Sequence, residues 1–250
     1  MKIRVSVVVL PLVLVLLIGY VPQAVAGASA VVQNDTMWID INGSLHIVGE
    51  VKNTGDVWLR FVKVFGTLRD AGGGTVDVTF TYTLVRFVPL GDVVPFDLTE
   101  IDTAKSARVQ SYSLVLEFDE TGPPSQKLAV LNVADSKNLN GQFEVVGEVE
   151  NQGDKPAPYT HVIGTFYDAG GKVVYADFTY TEPAEIPPGA KHGFKITVLS
   201  DAQSSKITRY SLIAESENAG YTSVPEWPAP ALVAGIVLSL AVIVIRRKRR

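Results

Sequence analysis

The chain is written twice. Residues 46–118 and 144–216 align at a constant offset of 98 with no gap, and about 40% of the aligned positions are identical. Val48-Gly49-Glu50-Val51-x-Asn53-x-Gly55-Asp56 returns as Val146-Gly147-Glu148-Val149-x-Asn151-x-Gly153-Asp154. Asp70-Ala71-Gly72-Gly73 returns as Asp168-Ala169-Gly170-Gly171, and Phe80-Thr81-Tyr82-Thr83 as Phe178-Thr179-Tyr180-Thr181. Pro89/Pro187, Gly91/Gly189, Phe96/Phe194 and Tyr112-Ser113-Leu114/Tyr210-Ser211-Leu212 continue the match. A period this long marks tandem domains, each of which folds as a unit. What both copies carry serves the shared fold, and what one copy carries alone is free to serve something else.

Within each copy, apolar residues alternate. Leu45, Ile47, Gly49 and Val51 share one face, as do Phe143, Val145, Gly147 and Val149. Val76, Val78, Phe80 and Tyr82 are matched by Val174, Ala176, Phe178 and Tyr180. A period of two predicts half-buried strands, near 30–40, 45–53, 61–70, 75–84, 96–101 and 109–117 of the first copy. Asn53-Thr54-Gly55-Asp56 and its counterpart carry turn chemistry, Asp-Ala-Gly-Gly reads as a hairpin loop, and Pro-x-Gly marks another turn. Asp70 and Asp168 are expected to cap that hairpin. Short strands with regular turns predict an all-β chain of two tandem β-sandwich domains. There is no cysteine, so core burial alone must hold each module, which is feasible at roughly 90 residues.

The ends differ in kind. Lys2 and Arg4 precede an apolar run from Val5 to Ile18 and the small-residue site Ala24-Val25-Ala26, the layout of a signal peptide cleaved after residue 26. Ala229 to Ile245 is uncharged and apolar, and Arg246-Arg247-Lys248-Arg249-Arg250 follows. An apolar run ending in a basic cluster predicts a transmembrane segment with a cytoplasmic tail and outward-facing domains. The expected organisation is signal peptide 1–26, sandwich 27–118, linker 119–127, sandwich 128–217, stalk 218–228, span 229–245 and tail 246–250. Asn34-Asp35-Thr36 and Asn42-Gly43-Ser44 are glycosylation sequons at Asn34 and Asn42.

Two resemblances follow from these residues. Gly-x-Val-x-Asn-x-Gly-Asp, Gly164-Thr165-Phe166-Tyr167-Asp168-Ala169-Gly170-Gly171 and Pro-x-Gly before a Phe-led strand resemble the FxLYD-type domains of bacterial and archaeal envelope proteins. The first copy reads Gly66-Thr67-Leu68-Arg69-Asp70, without the Tyr. That resemblance implies immunoglobulin-like sandwiches outside the cytoplasm and no enzymatic activity. Pro225-Glu226-Trp227-Pro228, ahead of the apolar run and basic cluster, resembles the PEF-CTERM class of archaeal sorting signals, with Trp227 where that class has Phe. It implies a sorting protease as partner and a lipid anchor in place of the span. Without processing, the span stays as a single-pass helix. Either outcome tethers the protein to the outer face of the cell membrane.

The composition speaks against several chemistries. His46, His161 and His192 make no paired metal-ligand spacing, no nucleophile or phosphate-loop signature occurs, and no cofactor is expected. Residues 27–227 hold all 26 acids but only 15 bases, so the exported part repels nucleic acid.

The copies differ most where the first has Val57-Trp58-Leu59-Arg60-Phe61 against Lys155-Pro156-Ala157-Pro158-Tyr159. Leu84-Val85-Arg86-Phe87 stands against Glu182-Pro183-Ala184-Glu185, and Val93-Val94 against Lys191-His192. Trp58, Leu59, Phe61, Leu84, Phe87, Val93 and Val94 therefore form a candidate interaction patch. It serves docking on the second module, an external ligand, or local core filling. The sequence predicts a non-enzymatic, membrane-anchored surface protein with a structural or protein-binding role and an envelope protein as partner. The alternative is a solute- or cation-binding accessory subunit of an envelope transporter or complex.

Overall fold

The computed structural model describes residues 27–123, 127–217 and 219–228. The expected signal peptide, span and basic tail lie outside the described residues. The chain is all-β and every strand pairing is antiparallel.

In the first module β1 (Ala30–Ile39), β2 (Leu45–Asn53) and β6 (Val93–Glu100) form one sheet in the order β1-β2-β6. β3 (Trp58–Arg69) centres the other, paired with β4 (Thr75–Tyr82), the two-residue β5 (Phe87–Val88) and β7 (Ser111–Thr121). The second module repeats this. β8 (Leu128–Lys137), β9 (Phe143–Asn151) and β12 (Lys191–Thr197) form one sheet. β11 (Val173–Tyr180), β10 (His161–Tyr167), β13 (Arg209–Ser216) and β14 (Ala219–Pro228) form the other. The offset of 98 relates β1 to β8, β2 to β9 and β4 to β11 residue for residue.

The repeated residues account for these shapes. Leu45, Ile47 and Val51 of β2 are wholly buried in the first core, beside Val64, Phe96 and Leu98. Gly49 lies opposite Phe96 on β6. A Cβ there would stand 2.9 Å from Phe96 Cζ and 2.8 Å from Asp35 Cβ, so the ring fits across the strand only over glycine. Gly147 and Phe194 repeat this, at 2.8 Å. The hairpin after β3 is closed by Asp70 Oδ1, which accepts from the amides of Gly72 and Gly74, while Gly73 takes φ +79°. Asp168 does the same for Gly170 and Lys172. Both aspartates cap the turn. Buried Asn53 donates to the Val57 and Val88 carbonyls and accepts from Gly55, and Asn151 repeats the set with Lys155, Ile186 and Gly153.

Three features depart from the expected pattern. α1 (Thr103–Ser106) and α2 (Asp201–Ser204) are single helical turns, too short to show a helical period. Ser106 and Ser204 tie them down, accepting from the Leu45 and Phe143 amides and donating to Glu100 and Val198 carbonyls. Residues 219–228, expected as a stalk, are strand β14, an edge on β13 with Tyr210 opposite Trp227. Pro225–Pro228 thus sit within a strand. β7 runs to Thr121 and takes the start of the expected linker into the sheet.

Candidate functional site: the module junction and its cleft

The two modules meet sheet face to sheet face. Strand alternation sends His46, Val48 and Glu50 of β2 to the outer side of their sheet, with Thr36 and Trp38 opposite on β1. The second module presents the outer side of β10, β11 and β13. Val48, Tyr167 and Val173 bury one another there, with Trp38 packed against them. Ile163 and Ile213, at 0% and 3% exposure, join the first module's core cluster although they belong to the second module.

Polar bonds fix the register. Tyr167 donates its hydroxyl to Glu50 at 2.5 Å, and Thr36 donates to the Val173 carbonyl. Asn34 and Gln33, on the bulge in β1, donate to the other Glu50 oxygen, so this buried carboxylate is satisfied from three sides. Arg86 donates its backbone N–H to the Glu215 carboxylate at 3.0 Å and its guanidinium to the Glu217 carbonyl. Burial pushes Glu215 up to about 7 against the pull of Arg86. His161 Nε2 lies 3.6 Å from Glu215, and burial pushes that imidazole down. Near neutrality the imidazole is therefore uncharged and Glu215 is about half protonated, so the contact is not a full ion pair.

Beside this seam opens a cleft of about 730 Å³. Trp38 stacks on His46 at 4.4 Å with the planes 9° apart. Asp40, Asp97, Asp177 and Asp201 contribute carboxylates and Tyr175 another ring. Burial opposes charging of His46, but the hydrogen bond to Asp97 at 2.9 Å, the Asp97 charge and Asp40 beyond it raise its pKa above the usual value. Burial, with Asp97 nearby, raises Asp177. Both ring nitrogens of His46 face carboxylates, Nδ1 towards Asp97 and Nε2 towards Asp40 at 3.8 Å. A general base needs one nitrogen aimed at a reacting group, so this histidine is placed to be a half-buried cation. Among the described residues no three His, Asp or Glu side chains converge as metal ligands would.

The sequence patch disperses. Leu59 and Val94 are wholly buried and fill the first core, so they are corrected from surface to core positions. The β period turns both inward, in segments that lie just outside the expected strands 61–70 and 96–101. Trp58, Leu84, Phe87 and Val93 are half-buried, and Phe61 is exposed at φ +49°. β3 and β5 bring Leu59 and Arg60 opposite Val88 and Phe87, while Val93 and Val94 lie on the other sheet against Lys52 and Val51. Of the patch segments, residues 84–87 touch the second module, through Arg86 and the backbone of Phe87. Asn34 is half-buried on Glu50, and Asn42 is exposed in the β1–β2 turn.

Sequence reasoning missed Trp38, His46, Asp97, Tyr167, Tyr175 and Glu215. Part of the signal was present in the copy differences, where Tyr167 stands against Arg69 and Trp38 against Ser136.

No family model and no curated protein matches the chain. Among solved structures it is similar to the exo-chitosanase CsxA of Amycolatopsis orientalis, at 12% identity and a TM-score of 0.29, over 77% of this chain and 26% of that one. It is also similar to red sea bream transglutaminase, at 11% identity and 0.24, over 78% and 31%. The chain spans a third or less of the length of either. Likenesses this distant carry no argument about activity.

Proposed function

We propose that this chain is a non-enzymatic, outward-facing protein of the cell envelope, tethered to the membrane by its C-terminal segment after removal of residues 1–26. It displays two sandwich modules, immunoglobulin-like in class, for a structural or protein-binding role. The observation that carries this reading is an uncovered sheet face. On the first module Phe65, Val78, Phe80, Tyr82 and Val115 lie together on the outer side of β3, β4 and β7, with Val78 60% and Val115 63% exposed. A row of aromatic and branched side chains facing solvent favours contact with a partner. Intact-mass analysis of the protein from its native membrane tests the tether. A chain lacking the first 26 residues and retained in the membrane fraction supports it. A full-length chain in the cytosolic fraction refutes it.

A second reading, binding of a small solute, is favoured by the cleft. Its aromatic stack and carboxylates suit an organic cation, held by charge and by the Trp38 face. Titration of putrescine into the full chain tests it. Binding that is weakened at least tenfold by Asp97→Asn supports the reading, and no heat of binding at millimolar putrescine refutes it.

A further inference from the structure

The junction within the chain uses one face of each module and leaves the equivalent face of the other unused. The buried face of the second module is the outer side of β10, β11 and β13: Ile163, Tyr167, Ala176, Ile213 and Glu215. Subtracting 98 gives Phe65, Arg69, Val78, Val115 and Glu117 on the first module, the uncovered face already described. Its apolar character survives the exchange, yet among the described residues nothing covers it. The buried face of the first module is the outer side of β1, β2 and β6: Trp38, His46, Val48, Glu50 and Asp97. Adding 98 gives Ser136, Glu144, Val146, Glu148 and Lys195 on the second. Val48 is wholly buried, whereas Val146 is 41% exposed.

The two unused faces match each other in charge. Within the chain Tyr167 meets Glu50. At the equivalent unused positions stand Arg69 and Glu148. Glu148 is already oriented as Glu50 is, by Asn132 donating from the same bulge position as Asn34. Asn132 and Asn34 both take positive φ, 53° and 58°. Where Asp97 lies near Tyr175 across the seam, the unused faces carry Lys195 and Asp77, again of opposite sign, each paired within its own module, with Glu144 and Lys105 respectively.

We infer that the outer face of β3, β4 and β7 docks on the outer face of β8, β9 and β12 in a second copy of this chain. The contact repeats between molecules the junction made within one. Each copy carries one face of each kind, so the contact is head-to-tail and links successive copies into rows or rings according to its rotation. Arg69 takes the place of Tyr167 against Glu148, which sets the register and makes association depend on salt. The intermolecular contact lacks the Trp38 and Tyr167 anchors, so it is weaker than the internal junction and reversible. The inference rests on the reading of the uncovered face as a protein-binding surface.

The absence of cysteine makes the test clean. The full chain carrying Arg69→Cys and Glu148→Cys, oxidised in native membranes, should give a ladder of dimers, trimers and higher species. Either single variant has no cysteine facing it across the contact and should stay monomeric. Arg69→Glu alone should weaken self-association in detergent at least tenfold by sedimentation, and Glu148→Arg added to it should restore the wild-type value. The inference is overturned if the ladder is no stronger than that of an Arg69→Cys/Asp154→Cys chain, or if charge reversal and its repair leave association unchanged. A photo-crosslinker at Phe80 separates the two readings. If the chain stays monomeric while Phe80 joins a different membrane protein, self-docking fails and the display role stands. If Phe80 joins nothing, both fail.

Discussion

Replacing Glu215 by Gln should remove most of the pH dependence of the module junction. The side chain of Glu215 is wholly buried at the seam, and burial lifts its pKa from 4.5 to about 7. The folded protein therefore binds more protons than the unfolded chain between those values, and stability must fall as pH rises through that window. The difference corresponds to about 3 kcal/mol, present in full below pH 4.5 and lost above pH 7. His161 works the other way: its lowered pKa means that stability rises with pH up to the ordinary imidazole value of 6.5. Gln keeps a carbonyl oxygen to accept from Arg86 but has no charge to develop. Urea unfolding of the full chain at pH 5 and pH 8 reads the effect. The wild type should lose up to about 3 kcal/mol more than Glu215→Gln over that interval, and the variant should show the residual rise due to His161. Parallel curves for the two proteins would mean that Glu215 is already ionised in the seam at pH 5, and the account of its raised pKa would be wrong.

Tyr167→Phe keeps the ring but strips the donor from Glu50, and should cost about 1–2 kcal/mol, read as faster amide exchange on β2 and β10. Asn151→Ala removes the donor to the Lys155 carbonyl and to the buried Ile186 carbonyl and should lower stability by about 1–3 kcal/mol in urea melts, with Asn53→Ala matching it in the first module. Gly49→Ala drives a methyl into Phe96 and Asp35 and should cost roughly 1–3 kcal/mol, visible as a lowered Tm.

The fold was legible because its determinants are local and written twice. Gly49 with Phe96, Asp70 with its two glycines, and Asn53 with its turn each announce a strand, a hairpin or a corner from a few residues. The junction was not legible, because its partners are far apart in sequence. Nothing in the neighbourhood of Tyr167 indicates that its hydroxyl will meet Glu50, and Glu50 reads identically to Glu148 although one is buried and the other is not. The patch reading failed at Leu59 and Val94 for a related reason. Copy comparison detects residues that one module needs and the other lacks, but a different core filling gives the same signal as a binding surface. Trp58 and Phe87 would have been sorted from Leu59 only by knowing which way each strand faces.

The copy differences across the two equivalent faces follow the cost of removing each group from water. Lys63 on the uncovered face sits over the Phe65, Phe80 and Tyr82 rings at 4.7–5.3 Å. Such a cation can shield exposed aromatics while staying hydrated, for roughly 0.5–1 kcal/mol. At the equivalent position beside the seam stands His161, 5.7 Å from the Phe178 and Tyr180 rings. Burial next to Glu215 would desolvate an ammonium together with the carboxylate it pairs with, whereas an imidazole can shed its proton and remain. The same rule orders the other exchanges. Arg69, which needs water or a carboxylate, gives way to Tyr167, whose one hydroxyl finds Glu50. Phe65 and Val115 do not follow this pattern, because neither becomes polar on the uncovered face. Had that face evolved only to meet solvent, those two positions carried no reason to stay apolar once the chain left them bare. Their retention alongside Lys63 and Arg69 describes a surface that spends part of its time wet and part of it covered, with cations placed where a docked acidic face can take over from water.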